Sequence, residues 1–123
     1  MTDARRLAEL ARLTGLLREH RLAELRKAGR QRAAAQAELD RLAQDSCLGT
    51  GDTAVPCGIV GRHETWRGRR RAELNIRLAA LTATWLECSA ATAEAVGRDA
   101  VARRLAETGS RNRGAAGRRP GPS

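Results

Sequence analysis

The sequence predicts an all-α chain: two long helices folded back on each other as an antiparallel coiled-coil hairpin, followed by a disordered C-terminal tail. Three observations lead there. The apolar content comes mostly from Ala and Leu, with no Phe or Tyr and with only Trp66 and Trp85 as large aromatics. That composition supplies a thin helical seam and not the aromatic and β-branched interior of a compact α/β or β domain. The residues that dominate the chain, Ala, Leu, Arg and Glu, lose little side-chain freedom in a helix. One segment punctuated by Gly and Pro divides the chain near its midpoint into two Pro-free stretches of near-equal length.

The first helix is expected over residues 3–46, where Gly15 and Gly29 are the only glycines. Steps of 3.6 from Leu7 meet Leu10 and Ala11, Thr14, Leu17, Leu22, Leu25, Ala28, Arg32, Ala35, Leu39 and Leu42, an apolar stripe broken mainly at Arg32. Charge pairs at helical spacing, such as Glu9 with Arg12 and Glu38 with Arg41, decorate the outer faces and support the helix by a few tenths of a kcal/mol each at most.

Residues 47–61 change character: Gly49, Gly51, Pro56, Gly58 and Gly61 punctuate them, no Lys or Arg occurs, and Ile59-Val60 is among the few strand-like fragments. They read as a turn-forming connector, with Gly49 placed to stop the first helix in the left-handed conformation that a residue without Cβ accepts. Cys47 and Cys57 flank this connector, where a disulfide would staple the tip; in a reducing compartment both are free thiols.

The helical pattern resumes over 62–108. Leu74, Leu78, Leu81, Trp85, Cys88, Thr92, Ala95, Asp99 and Ala102 follow alternating steps of four and three, a heptad a/d pattern that fades into small residues after Cys88. Glu73 with Arg77, Glu94 with Arg98 and Asp99 with Arg103 stand at i,i+4 spacing with the acid first. Gly109 reads as the stop. The tail 110–123, with Arg111, Arg113, Arg118 and Arg119 and no large apolar residue, should be disordered. The organisation is thus a hairpin over 1–109 and a basic tail over 110–123. Each helix is about 65–70 Å long at 1.5 Å per residue, and an amphipathic helix of that length buries its stripe most readily against the other one.

The formal net charge is +9, and Lys27 is the single lysine among the cations. A field of this sign attracts acidic protein surfaces, nucleic acid or anionic lipid. No apolar run reaches the roughly 20 residues of a membrane span and the N-terminus lacks a signal peptide's apolar core, so a cytoplasmic protein is expected. Three cysteines without a paired CxxC, and two histidines far apart, indicate neither a disulfide framework nor a metal site. A two-helix rod offers no pocket in which a base and its orienter could converge, so no catalytic residue and no cofactor are expected, and His20 and His63 read as exposed surface residues.

The candidate contact surface is Trp66 with the arginine collar Arg67, Arg69, Arg70 and Arg71, the densest cationic cluster outside the tail. Such a collar suits a solvated helix surface, the docking site of an acidic protein, or nucleic acid; no phosphate-binding loop, helix-turn-helix pattern or stacking aromatic series adds to charge in favour of the last. Trp66 could cap the loop end of the hairpin, with Leu48, Ile59 and Val60, or stand out as a hot spot. Trp85 and Cys88 lie on the seam and read as core.

The stretch Trp66-Arg-Gly-Arg-Arg-Arg-Ala-Glu-Leu-Asn-Ile-Arg-Leu-Ala79, an aromatic opening a second long helix and then Arg, Leu and Asn at heptad spacing, resembles the FliJ family of flagellar type III export components. The resemblance covers the hairpin from about Ala4 to Ala106. It implies an antiparallel coiled coil acting as a cytoplasmic stalk or escort, with an export ATPase ring or export gate as partner and Trp66 with Arg67–Arg71 as the surface that meets it. The alternatives are a small basic nucleic-acid-associated protein and a homodimeric coiled-coil scaffold.

Overall fold

The computed structural model describes residues 2–45 and 57–117. Two helices account for all of them except Thr2: α1, Asp3–Asp45, and α2, Cys57–Gly117. They pack against each other, and no strand occurs among the described residues. Thr2 stands at the N-cap of α1, its carbonyl accepting from the amides of Arg5 and Arg6 at 3.0 and 3.2 Å, and Asp3 places a carboxylate in the first turn, where the helix dipole favours it.

The boundaries of α2 differ from the sequence expectation at both ends. The helix begins at Cys57, not Arg62, so Gly58, Ile59, Val60 and Gly61 are helical. Glycine in a helix costs only about 1 kcal/mol relative to Ala, and extending an existing helix by a turn needs no second nucleus, so Gly58 and Gly61 do not end it. At the other end α2 runs through Gly109 to Gly117, and no described glycine has a positive φ. Gly109 is a point of close approach and not a stop: a Cβ there would lie 3.2 Å from Leu7 Cδ1. Gly49, Cys47 and residues 118–123 lie outside the described residues, and so does the pairing of Cys47 with the Cys57 side chain.

The packing divides into two units. In the first, Met1–Leu25 with Cys88–Ser123, α1 turns Ala4, Leu7, Ala11, Thr14, Arg18 and Arg21 toward Thr92, Ala95, Asp99, Ala102 and Ala106 of α2. This seam alternates apolar and polar layers. Thr92 Oγ1 lies 2.7 Å from its own helix's Cys88 carbonyl and 3.1 Å from the Arg21 carbonyl across the interface, and its one proton serves one of them at a time. Asp99, only 3% exposed, takes Thr14 Oγ1 at 3.2 Å on Oδ1, and Arg103 Nε at 3.2 Å and Arg18 Nη1 at 3.7 Å on Oδ2.

In the second unit, Arg26–Glu87, Ala28, Ala35, Leu39 and Leu42 meet Arg67, Leu74, Leu78, Leu81 and Trp85. Gly29 lies against Trp85, where a Cβ would stand 3.6 Å from the indole Nε1, an ordinary van der Waals contact. Arg32, which interrupts the stripe, lays its guanidinium 5.0 Å from the Trp85 ring centroid and donates from Nε to Thr82 Oγ1 at 3.1 Å. The interruption is therefore satisfied within the helix pair by a cation–π contact and a hydrogen bond. Among the described residues, four of the six buried apolar side chains are alanines, Ala28, Ala35, Ala95 and Ala102, beside Leu42 and Leu74. Such a seam holds through many close, small contacts.

The a/d register of α2 is the one the sequence indicates, from Leu74 to Ala102. On α1 the stripe differs. Leu10 and Leu17 are exposed, 44% and 36%, while Arg18 and Arg21 turn inward. Two helices in contact hold a period of 3.5, and a strict 3.6 count drifts about 20° per heptad from it.

Candidate interaction surface

The residues singled out on α2 occupy consecutive turns of one helix, so helical geometry separates them onto different sides. Arg67, a seam position, turns into the helix pair and is 7% exposed. Its Nη2 donates to the Leu42 carbonyl at 2.9 Å and its Nη1 to Glu64 Oε1 at 3.1 Å. Leu42 lies in the last turn of α1, where the helix presents the negative end of its dipole. Arg67 therefore caps α1 from the other helix and is not available to a partner. Its Nε is buried with no hydrogen-bond partner.

Arg70 bridges the two helices, with Nη2 2.9 Å from Glu38 Oε2 and Nη1 3.3 Å from Glu73 Oε2. Glu38 and Glu73 are thereby drawn to Arg70 and not to Arg41 and Arg77, the partners expected from i,i+3 and i,i+4 spacing. Arg41 donates instead to the Ala37 carbonyl at 3.4 Å. The collar is thus divided: Arg67 and Arg70 belong to the fold, while Arg69 and Arg71 are exposed and make no ion pair with any described residue.

Trp66 is 56% exposed. The His63 ring stacks on it, centroids 5.9 Å apart and planes inclined by 21°. The indole lines an open groove with Gly61, Arg62, Thr65 and Arg69, and Thr65 Oγ1 is tied down by donation to the Gly61 carbonyl at 2.9 Å. The result is a flat aromatic ledge one turn long, supported by a second ring and bordered by the guanidiniums of Arg62 and Arg69. The sequence left two positions open for Trp66; its indole is exposed, and a cap formed with Leu48, Ile59 and Val60 lies outside the described residues. His63 was legible as a surface residue but not as the support of Trp66, although spacing i,i+3 with an aromatic is the signal that points to it.

His20, the other histidine, sits on the α1 surface with Nε2 2.8 Å from Glu24 Oε1. Cys88 is a free thiol half-buried on the seam. Thr14, Arg32 and Asp99, the polar residues on the seam, are engaged across it and do not present a free surface. Among the described residues no group of three His, Cys, Asp or Glu is placed to hold a metal ion, and no helix is long and apolar enough to cross a membrane. No protein-family model, curated protein or solved structure matches the chain.

Proposed function

We propose that the chain is a non-enzymatic coiled-coil interaction protein that engages an acidic protein surface through Trp66, His63, Arg62 and Arg69. The observation behind this reading is the exposed Trp66, stacked on His63 and bordered by Arg62 and Arg69, which make no ion pair with any described residue. A rigid aromatic and unpaired guanidiniums are the residue types that dominate binding hot spots, because they bring large contact area and directed donors at low entropic cost. Arg67 and Arg70 contribute by fixing the helix beneath the ledge. The more specific form of the proposal is the one the FliJ resemblance implies: a stalk or escort whose partner is an export ATPase ring or export gate.

Binding of a labelled duplex DNA across a salt series tests this reading against the nucleic-acid alternative. Phosphate neutralisation by six or so contacts loses about 10³-fold or more in affinity between 50 and 200 mM salt. Weak DNA binding that has vanished at physiological salt is expected. Tight binding at that salt, lost when the chain is cut before Ser110 and untouched by Trp66→Ala, would overturn the proposal.

A further inference from the structure

The first unit carries an apolar face that its own two helices leave uncovered. In the observed register Leu10 and Leu17 of α1 and Leu105 of α2 are g positions, and Leu13 and Val101 are the adjoining c positions; g positions of antiparallel partners share one side of the pair. These five side chains are 44%, 36%, 47%, 50% and 54% exposed in that order. Leu10, Val101 and Leu105 line a groove of about 430 Å³ together with Thr14, Ala102 and Gly97 and the charged pair Glu94 and Arg98, and Leu13 and Leu17 extend the apolar face beyond it on α1. The opposite side of the same unit, around Arg18, Arg103 and Arg104, is charged.

We propose that this face is where a second copy of the chain binds, two units closing their exposed leucines into a four-helix arrangement. Two observations favour a copy over an acidic partner. The first is charge. The g and c positions of this unit carry Asp3, Glu24 and Glu94 against Arg6 and Arg98, a slightly acidic face on a chain whose net charge is +9. Glu94 and Arg98 also neutralise each other directly. Two cationic molecules repel on most approaches and least on this one, whereas an anionic partner is drawn elsewhere. The second is area. Five half-exposed aliphatic side chains present on the order of 400 Å², in the range where an apolar patch marks an interaction site. With a polar rim that supplies the centre of an interface of about 800 Å² per partner, the size of a stable complex. A two-fold axis through the groove would lay the Leu10–Leu13–Leu17 stripe of one copy on Val101 and Leu105 of the other, so one patch serves both sides.

The inference concerns a different surface from the Trp66 ledge and stands independently of it. Its test is sedimentation velocity of the full chain with the variant Leu13→Glu/Val101→Glu and the charge-matched control Ile76→Glu/Leu86→Glu, whose sites are exposed in the second unit. All four positions lie off the seam, and circular dichroism verifies that each protein stays helical. At about 100 µM, where micromolar association is essentially complete, wild type and control should sediment at twice the chain mass and Leu13→Glu/Val101→Glu at the chain mass. A wild type that is monomeric at this concentration overturns the proposal. So does a dimer that survives Leu13→Glu/Val101→Glu, or one that the control disrupts equally.

Discussion

Asp99→Ala should lower the stability of the helix pair by about 2 kcal/mol, whereas Asp99→Leu should change it by less than about 1 kcal/mol. Asp99 is a buried carboxylate with a hydroxyl on one oxygen and two guanidiniums on the other. Loss of a hydrogen bond to a charged group costs about 1.5–3 kcal/mol. The side chains of Arg18 and Arg103 are 34% and 59% exposed, so both can hydrate when the carboxylate goes, and their ion pairs add at most about 1 kcal/mol. Alanine returns roughly half a kcal/mol through helix propensity. Leucine in the same layer, between Ala95 and Ala102, recovers about 1.5–3 kcal/mol by apolar burial, and Thr14 keeps its alternative bond to the Ala11 carbonyl at 3.1 Å. Urea unfolding followed by circular dichroism reads the difference: a loss of 2 kcal/mol moves the midpoint by about 1 M at usual m-values. All variants must be compared at one protein concentration, since self-association adds stability. An alanine variant as stable as wild type, or a leucine variant that falls as far as the alanine one, would refute the assignment of Asp99 as a satisfied polar layer of the seam.

Leu74→Ala, at a side chain 2% exposed, should cost about 2–3 kcal/mol in the same assay, near the lower end for a buried leucine because its neighbours are small, and Ile76→Ala, 73% exposed, less than about 0.5. Arg67→Met keeps the aliphatic stem but strips the Leu42 carbonyl of its donor; it should cost about 1 kcal/mol and speed hydrogen exchange in the last turn of α1, while Arg69→Met leaves both unchanged. The Glu9 carboxyl is held below the usual carboxylate range by a hydrogen bond from Arg12 and by its charge. A depressed folded-state value means stability present above the unfolded-state value and lost as the pH falls through the folded one. Carbon NMR titration should place Glu9 lower in the folded protein than in urea, with the difference abolished by Arg12→Ala.

The helix pair was legible because Leu74, Leu78, Leu81 and Trp85 place large residues at alternating steps of four and three, a spacing that puts them on one side of a helix and on both sides of a strand. The α1 register was harder to read. Leucines abound on its outer faces, at 10, 13, 16 and 17, while the seam itself takes Ala4, Ala11, Thr14 and Arg18, so hydrophobicity alone points to the wrong side. The uncovered face of the first unit follows from that register and appears only once it is corrected. Glycine misled at Gly58 and Gly61, which are helical, and at Gly109, where it marks a close contact with Leu7 and not a stop. The arginine collar was visible as charge, but its division could not be read locally: the cap from Arg67 to Leu42 and the bridge from Arg70 to Glu38 depend on which side of α2 meets α1.

The most direct test of the proposed role compares proteins captured from native lysate, after nuclease treatment and at physiological salt, by wild type and by Trp66→Ala/Arg62→Glu/Arg69→Glu. Arg70 is left intact because it binds Glu38, so both proteins should show the same helicity. The expected result is an acidic protein species retained by wild type and absent from the variant. An identical catch from both proteins, or a catch that disappears with the nuclease, would contradict the assignment of this ledge as the binding surface.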